Sequence, residues 1–528
     1  MKKGTWRDRG RDRKRYNRRS EWQRDHSGHR AQEQRYEGGA AGPSHRTQAH
    51  TVDTHSSSPS TPAAAPELPG FYFDPEKNRY FRLLPGHNNF NPLTREGLQK
   101  KEQEGRRVRL LEEDERPLKK FVRAGLNSTL LLQRRHLGLL PESSYCRLVH
   151  ELKVSTMRRH KLEVQTSDSS SPNTDNFRLI VADSACERVF TVNDVEHGGC
   201  KYGIMNFRGC SKGSLSVEMC DNLYFTNRKV NSICWASVTH SDSHVLYPLP
   251  SPIKKYVSLT GRIRLCLVGI AETPGCVSLL PASLFSNSNP DQPGMLCSFK
   301  ISTAWSCAWC LNPQADKNFS TGLSRRVIVT DAVTGRRQTY GISSDVLAQQ
   351  FALRAPVLYN GCRSGEIFSI DLRQRARRGS GWKGCRFYQD SAITSVRILQ
   401  DENYLIAADM LGKIKLWDLR VTRAVQQYEG HHNEHAYLPL HVNQPEGLLL
   451  AVGQDCYTRM WSLGDGRLLR TIPSPHPAGK DSVPSVVFSS QLGGRRGLPG
   501  LLMAVRHDLY YFPYNCDYQD RGVASGGR

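Results

Sequence analysis

The sequence predicts an all-β chain: a seven-bladed propeller of four-stranded blades, preceded by a disordered tail, one hairpin and a helical arm. Three observations predict it. One hairpin grammar recurs along the second half of the chain. Its spacing matches the length of a four-stranded blade. The final strands lack an outer neighbour, and an earlier short strand can supply one.

The clearest hairpin runs from Tyr404 to Asp418. Leu405, Ile406 and Ala407 form a short apolar run, and Asp409 to Gly412 is turn chemistry. Ile414, Leu416 and Asp418 then alternate with Lys415 and Trp417, a period of two. The same grammar returns at Leu448 to Ser462, where Trp461 follows Trp417 by about 44 residues, the expected blade period. It is also present at Val357 to Arg373, with Ile370 in the Trp place. A Trp-Asp pair closing such a hairpin resembles the WD40 repeat.

In chain order, residues 1–66 read as tail: a basic run (Arg11 to Arg19), then a Gly, Ala, Ser, Thr and Pro-rich stretch that cannot bury enough apolar surface to fold. Residues 67–158 hold an aromatic hairpin and the helical arm. The hairpin spans Leu68 to Leu83 and is too small to stand alone, so it is expected to dock on the propeller flank. Thr94 is placed to cap a helix over Arg95 to Glu115, which Pro117 ends. A shorter amphipathic helix is expected before Leu140, either packed on the propeller or offered to a partner. The propeller is assigned to 159–515, with a Pro-bearing insertion at 247–264, and 516–528 to a disordered C-terminal tail. A strand near Lys161 to Gln165 is expected to complete the last blade.

The formal charge is +23, concentrated in the first 36 residues and between Lys100 and Arg159. That distribution leaves an RNA- or ribonucleoprotein-associated role for the basic tail open, though few aromatics are interleaved there for base stacking. No run of about 18 apolar residues predicts a membrane span. The first residues carry no apolar signal core. The expectation is an intracellular protein, in nucleus and/or cytoplasm, whose 15 cysteines are reduced thiols.

Gly430-His431 precedes Trp461 at the spacing of the Gly-His element of WD40 repeats. The resemblance implies a buried structural network of His431, Asp455 and Trp461. Asp409 and Trp417 take the matching places one unit earlier, where no histidine is evident and a weaker network is expected. A catalytic His-Asp reading is much the weaker explanation. Cys307 and Cys310 lack the second pair a zinc site needs and read as strand cysteines. Phosphate-cradling loops, GxSxG and HExxH are absent, so neither enzyme, cofactor nor metal is expected.

Arg373 and Arg420 each follow an aspartate, Asp371 and Asp418, by two positions at the exit of one strand on consecutive blades. Both should emerge on one rim, each pairing locally with its aspartate or serving an interface. WD40 substrate receptors of cullin-4 RING ubiquitin ligases carry W-D-x-R in consecutive blades. Three further stretches sharpen the likeness: Pro66 to Lys77 running on to Asn89, Leu223 to Val230, and Gln454 to Arg459. Together they resemble the family of DDB- and cullin-associated factor number four. That resemblance implies a non-catalytic subunit docking on the damaged-DNA-binding-protein adaptor and cullin-4 scaffold. Arg420, Arg373, Asp418, Asp371 and the helical arm would be the docking elements, and an unknown protein substrate would be held elsewhere.

Overall fold

The computed structural model describes residues 71–74, 78–82 and 95–514, except for 116–127, 166–175, 184–185, 195–198, 210–214, 220–223, 227–229, 239–262, 271–274, 282–296, 302–303, 375–382, 480–481 and 494–496. Both expected tails and most of the 247–264 insertion therefore lie outside the described residues. The end of that insertion is corrected: Ile263 and Arg264 already belong to a strand, Ile263–Ile270.

The chain divides at Arg82 into two units. In the first, Phe71–Asp74 pairs antiparallel with Arg79–Arg82, setting Tyr72 opposite Phe81 and Phe73 opposite Tyr80. Asn78 takes the left-handed backbone (φ 48°) that this side chain tolerates and that the tight turn demands.

The second unit holds a run of sheets. Sheet 1 comprises Asn176–Ala182, Arg188–Asp194, Cys200–Gly209 and Leu215–Met219, with Tyr224–Thr226 and Val164–Gln165 added at its margin. Sheet 2 is Val230–Val238, Ile263–Ile270, Gly275–Pro281 and Cys297–Ile301, and sheet 3 is Ala304–Trp309, Asn318–Leu323, Arg326–Asp331 and Arg337–Gly341. Sheet 4 is Val346–Phe351, Val357–Cys362, Glu366–Asp371 and Lys383–Tyr388. Sheet 5 is Ile393–Ile398, Tyr404–Asp409, Ile414–Asp418 and Arg423–Tyr428. Sheet 6 is Leu440–Asn443, Leu448–Val452, Tyr457–Ser462 and Leu468–Pro473. Sheet 7 is Ser485–Leu492, Leu498–Val505 and Asp508–Pro513, joined by His160–Leu162.

The first strands of sheets 2 to 7 pack successively on one another, and that of sheet 7 packs on that of sheet 1. Trp235 of sheet 2 donates from Nε1 to the Val181 carbonyl of sheet 1 at 2.9 Å. Burial follows from this arrangement. Second strands lie between neighbouring sheets and bury both faces, as at Leu405–Asp409. Fourth strands meet water on one side and alternate, as at Arg423–Tyr428.

The expected closing strand divides in two. His160–Leu162 pairs with Tyr511, Tyr510 and Leu509 of sheet 7. Val164–Gln165 instead pairs in parallel with Val217 and Glu218 of sheet 1. One short segment thus joins the first sheet to the last and covers an edge of each.

Three helices occur among the described residues: α1 (Arg95–Glu115), α2 (Ser128–His136) and α3 (Glu142–Ser155). The third was not foreseen. Its apolar positions, Leu148, Val149 and Leu152, have helical spacing, and Val154 and Met157 are buried with Leu448, Met460 and Tyr510. Arg470 of sheet 6 caps the end of this helix and the turn after it, donating from Nη1 to Val154 O (2.7 Å) and Met157 O (2.9 Å). Among the described residues, no helix is long and apolar enough to cross a membrane.

Candidate docking rim and blade network

In sheets 4, 5 and 6 the turn after the third strand meets the turn after the first. Leu372 N donates to Pro356 O (3.0 Å), Leu419 N to Asn403 O (2.8 Å) and Leu463 N to Gly447 O (2.8 Å). These paired turns form one rim, and Arg373 and Arg420 stand on it in consecutive sheets.

Each arginine forms a fork on its own aspartate. Arg373 donates from Nε to Asp371 Oδ1 (2.9 Å) and from Nη2 to Oδ2 (2.7 Å). Arg420 does the same to Asp418, at 3.0 and 2.6 Å. It also donates to the Tyr404 hydroxyl at 3.0 Å, its guanidinium carbon 5.4 Å from that ring's centre. The hydrogen bonds from Arg420 hold the Asp418 carboxyl down at about 2, and Arg373 lowers that of Asp371. The arginine side chains stay 60% and 58% exposed, so each keeps donor atoms free for a partner. In sheets 3 and 6 the matching position is Val333 and Gly464, so between these sheets the feature belongs to sheets 4 and 5 alone.

Helix α3 occupies the same rim one sheet further on, and α1 runs along the outer strand of sheet 6. Glu151 of α3 pairs with Arg467, and Lys153 pairs with Glu446 at 3.0 Å. Arg107 of α1 is buried, donating to Ser474 O (2.8 Å) while Glu104 holds it from the side. These contacts fasten α1 and α3 to sheet 6. Beside them, α2 and the turn after it leave Leu132, Leu137 and Leu139 exposed at 44%, 72% and 71%. The packed reading of the helical segment thus holds for α1 and α3, and α2 keeps an exposed apolar face.

The expected network of His431, Asp455 and Trp461 is not formed. Strand register gives the reason. Ala407 pairs with Lys415 and Ala451 with Arg459, so Gly453, not Asp455, occupies the place of Asp409. Asp455 turns to Arg459 instead, at 3.0 and 2.5 Å. Trp461 Nε1 donates to the Glu429 carbonyl at 2.8 Å. The His431 ring lies edge-on to Trp461, its Nδ1 has no partner, and burial pushes its pKa down to about 4.

The opposite correction applies one sheet earlier, where the weaker network was expected. Gln389 takes the histidine's part. Its Nε2 donates to Asp409 Oδ2 (3.2 Å), and its Oε1 accepts from Trp417 Nε1 (3.4 Å). Asp409 Oδ1 accepts from the backbone of Leu411 (3.0 Å) and Lys413 (2.9 Å), tying the turn. A signal was available: Gln389 precedes Trp417 at about the distance by which His431 precedes Trp461.

Cys307 lies on the first strand of sheet 3, with Cys310 just beyond its end, and both are buried thiols. Among the described residues no cluster of His, Cys, Asp and Glu is placed to hold a metal ion.

A sequence profile of the DDB1- and CUL4-associated factor 4 β-propeller domain matches residues 145–514. That span starts inside α3. The chain is 57% identical to DDB1- and CUL4-associated factor 4 of Homo sapiens over 519 residues, covering 98% of this chain and 100% of that one. It is 56% identical over 517 residues to the Bos taurus protein of the same name, covering 98% and 100%. With the DDB1- and CUL4-associated factor 4-like protein 2 of Homo sapiens it shares 55% identity over 413 residues, 78% of this chain and 100% of that one. The chain belongs to the DDB1- and CUL4-associated factor 4 family.

Proposed function

We propose that this chain is the non-catalytic substrate-recognition subunit of a DDB1–CUL4 ubiquitin ligase, docking on DDB1 by the rim of Arg373 and Arg420 and by the adjoining helices. The relatives' names support the association. One observation carries the rim: two exposed Arg–Asp forks on consecutive sheets, beside exposed leucines. A guanidinium held by its own carboxylate loses less freedom on binding and presents its remaining donors in a fixed plane. The leucines offer the apolar anchor such interfaces need. The complex supplies the ubiquitin chemistry, and this chain supplies binding, within the nucleus or cytoplasm.

The test is co-purification with DDB1. R373A combined with R420A is expected to lower recovery of DDB1 at least tenfold while thermal unfolding stays at the wild-type temperature. Undiminished recovery sinks the rim assignment. Steeply salt-dependent RNA binding, lost on deleting residues 1–36, would instead support the ribonucleoprotein reading.

A further inference from the structure

The first strands of the sheets surround a cavity of about 980 Å³. Gln350, Arg397 and His441 stand at one level on three consecutive strands of its wall. Each pairs with a residue that itself faces the position just before the Trp place, namely Ser369, Leu416 and Met460. Arg397 is anchored from Nε to the Leu440 carbonyl at 2.8 Å. Gln350 is anchored too, its Oε1 accepting from Ile398 N at 3.0 Å.

Three arginines line the cavity, and they differ in charge balance. Arg178 has Asp194 at 3.6 Å, and Arg363 has Asp345 at 3.0 Å. No carboxylate among the described residues lies within ion-pair reach of Arg397. The charged or ionisable groups it senses are Tyr437 and His441. Burial and Arg397 together push the His441 imidazole down to about 3, so it is neutral at physiological pH. Arg397 is thus the one arginine of the wall without a carboxylate partner among the described residues, which leaves it available to an anion. The partly exposed Tyr437 also lines the space and offers flat apolar surface next to that charge, while Trp305 lines it beside Arg363, whose guanidinium carbon lies 5.4 Å from its ring.

We propose that this cavity is a recognition site for a carboxylate-bearing segment of a protein substrate, with Arg397 pairing the carboxylate while Tyr437 packs on the adjoining residue. The carboxylate is an Asp or Glu side chain or a chain terminus. A single positive charge beside a neutral imidazole matches a monoanion, whereas a phosphate dianion calls for more cations. The word substrate rests on the receptor reading above; the carboxylate site itself does not.

The probe is a proteome-derived peptide mixture passed over the immobilised full chain bound to DDB1, with retained peptides sequenced by mass spectrometry. One portion is methyl-esterified, which neutralises both kinds of carboxylate, and another is treated with phosphatase. Retained peptides are expected to share an acidic residue or an acidic terminus, and their sequences tell the two sources apart. Esterification and R397Q are each expected to cut retention at least tenfold, R397K less, and phosphatase not at all. DDB1 binding by R397Q is expected to be unchanged, which separates failure here from failure of the rim. Retention indifferent to esterification or to R397Q overturns the proposal, as does retention confined to phosphopeptides. Retention of nothing by the wild-type chain overturns it as well.

Discussion

Sheets 5 and 6 share a hairpin grammar and a tryptophan at the same place, yet they hold that tryptophan by different means. In sheet 5, Gln389 links the Asp409 carboxylate to the Trp417 indole, and the same carboxylate ties the turn backbone. In sheet 6, Gly453 removes the carboxylate, Asp455 is drawn to Arg459, and Trp461 bonds to a backbone carbonyl. Packing compensates: Trp461 is fully buried, whereas Trp417 is 8% exposed. A polar network and a packed indole are two solutions to one problem, anchoring a third strand against its neighbours.

That contrast can be broken by substitution. The largest effect belongs to W461A, which empties a fully buried site and is expected to cost about 3–5 kcal/mol in urea denaturation. D409A comes next, at about 3 kcal/mol, because it orphans the Gln389 amide and two backbone donors. D455A is its counterpart and is expected to cost about 1 kcal/mol or less, since it removes a partly exposed ion pair. Equal losses for the two aspartates would overturn the register argument. Q389L is expected to cost about 2 kcal/mol, between those two, by leaving Asp409 and Trp417 unanswered.

The smallest effect sharpens the comparison through pH. His431 has a depressed pKa, so the folded state resists its protonation. Its contribution is complete above the unfolded value near 6.5 and is lost as pH falls from there to about 4. H431Q is expected to flatten the fall of melting temperature over that window by a few degrees. An unchanged slope would show that His431 is not what couples sheet 6 to acid.

Period-two patterning and turn chemistry located the hairpins of sheets 4 to 6 because their second and third strands are bounded by Gly, Asp and Asn turns. The Arg–Asp forks were legible because a side chain two positions past a strand end has its place set by the strand alone. Asp455 misled for a physical reason: two aspartates in similar turns look alike until pairing register is known, and register is a property of the partner strand. Gln389 was hidden because a side-chain amide reproduces the donor and acceptor of an imidazole without resembling it in sequence. Helix α3 was overlooked because Tyr145 to Met157 gains its burial only from sheets 6 and 7, far along the chain. Arg397 carried no local signal at all, since its isolation depends on what three other strands do not place beside it.

The division of residues 160–165 between the first and last sheets imposes an order of events on synthesis. His160–Leu162 leaves the ribosome hundreds of residues before Asp508–Pro513, so it must wait unpaired through most of translation. Damage that frays the final strand would release its N-terminal partner too, opening this latch while the inner strands of the first and last sheets stay packed on each other.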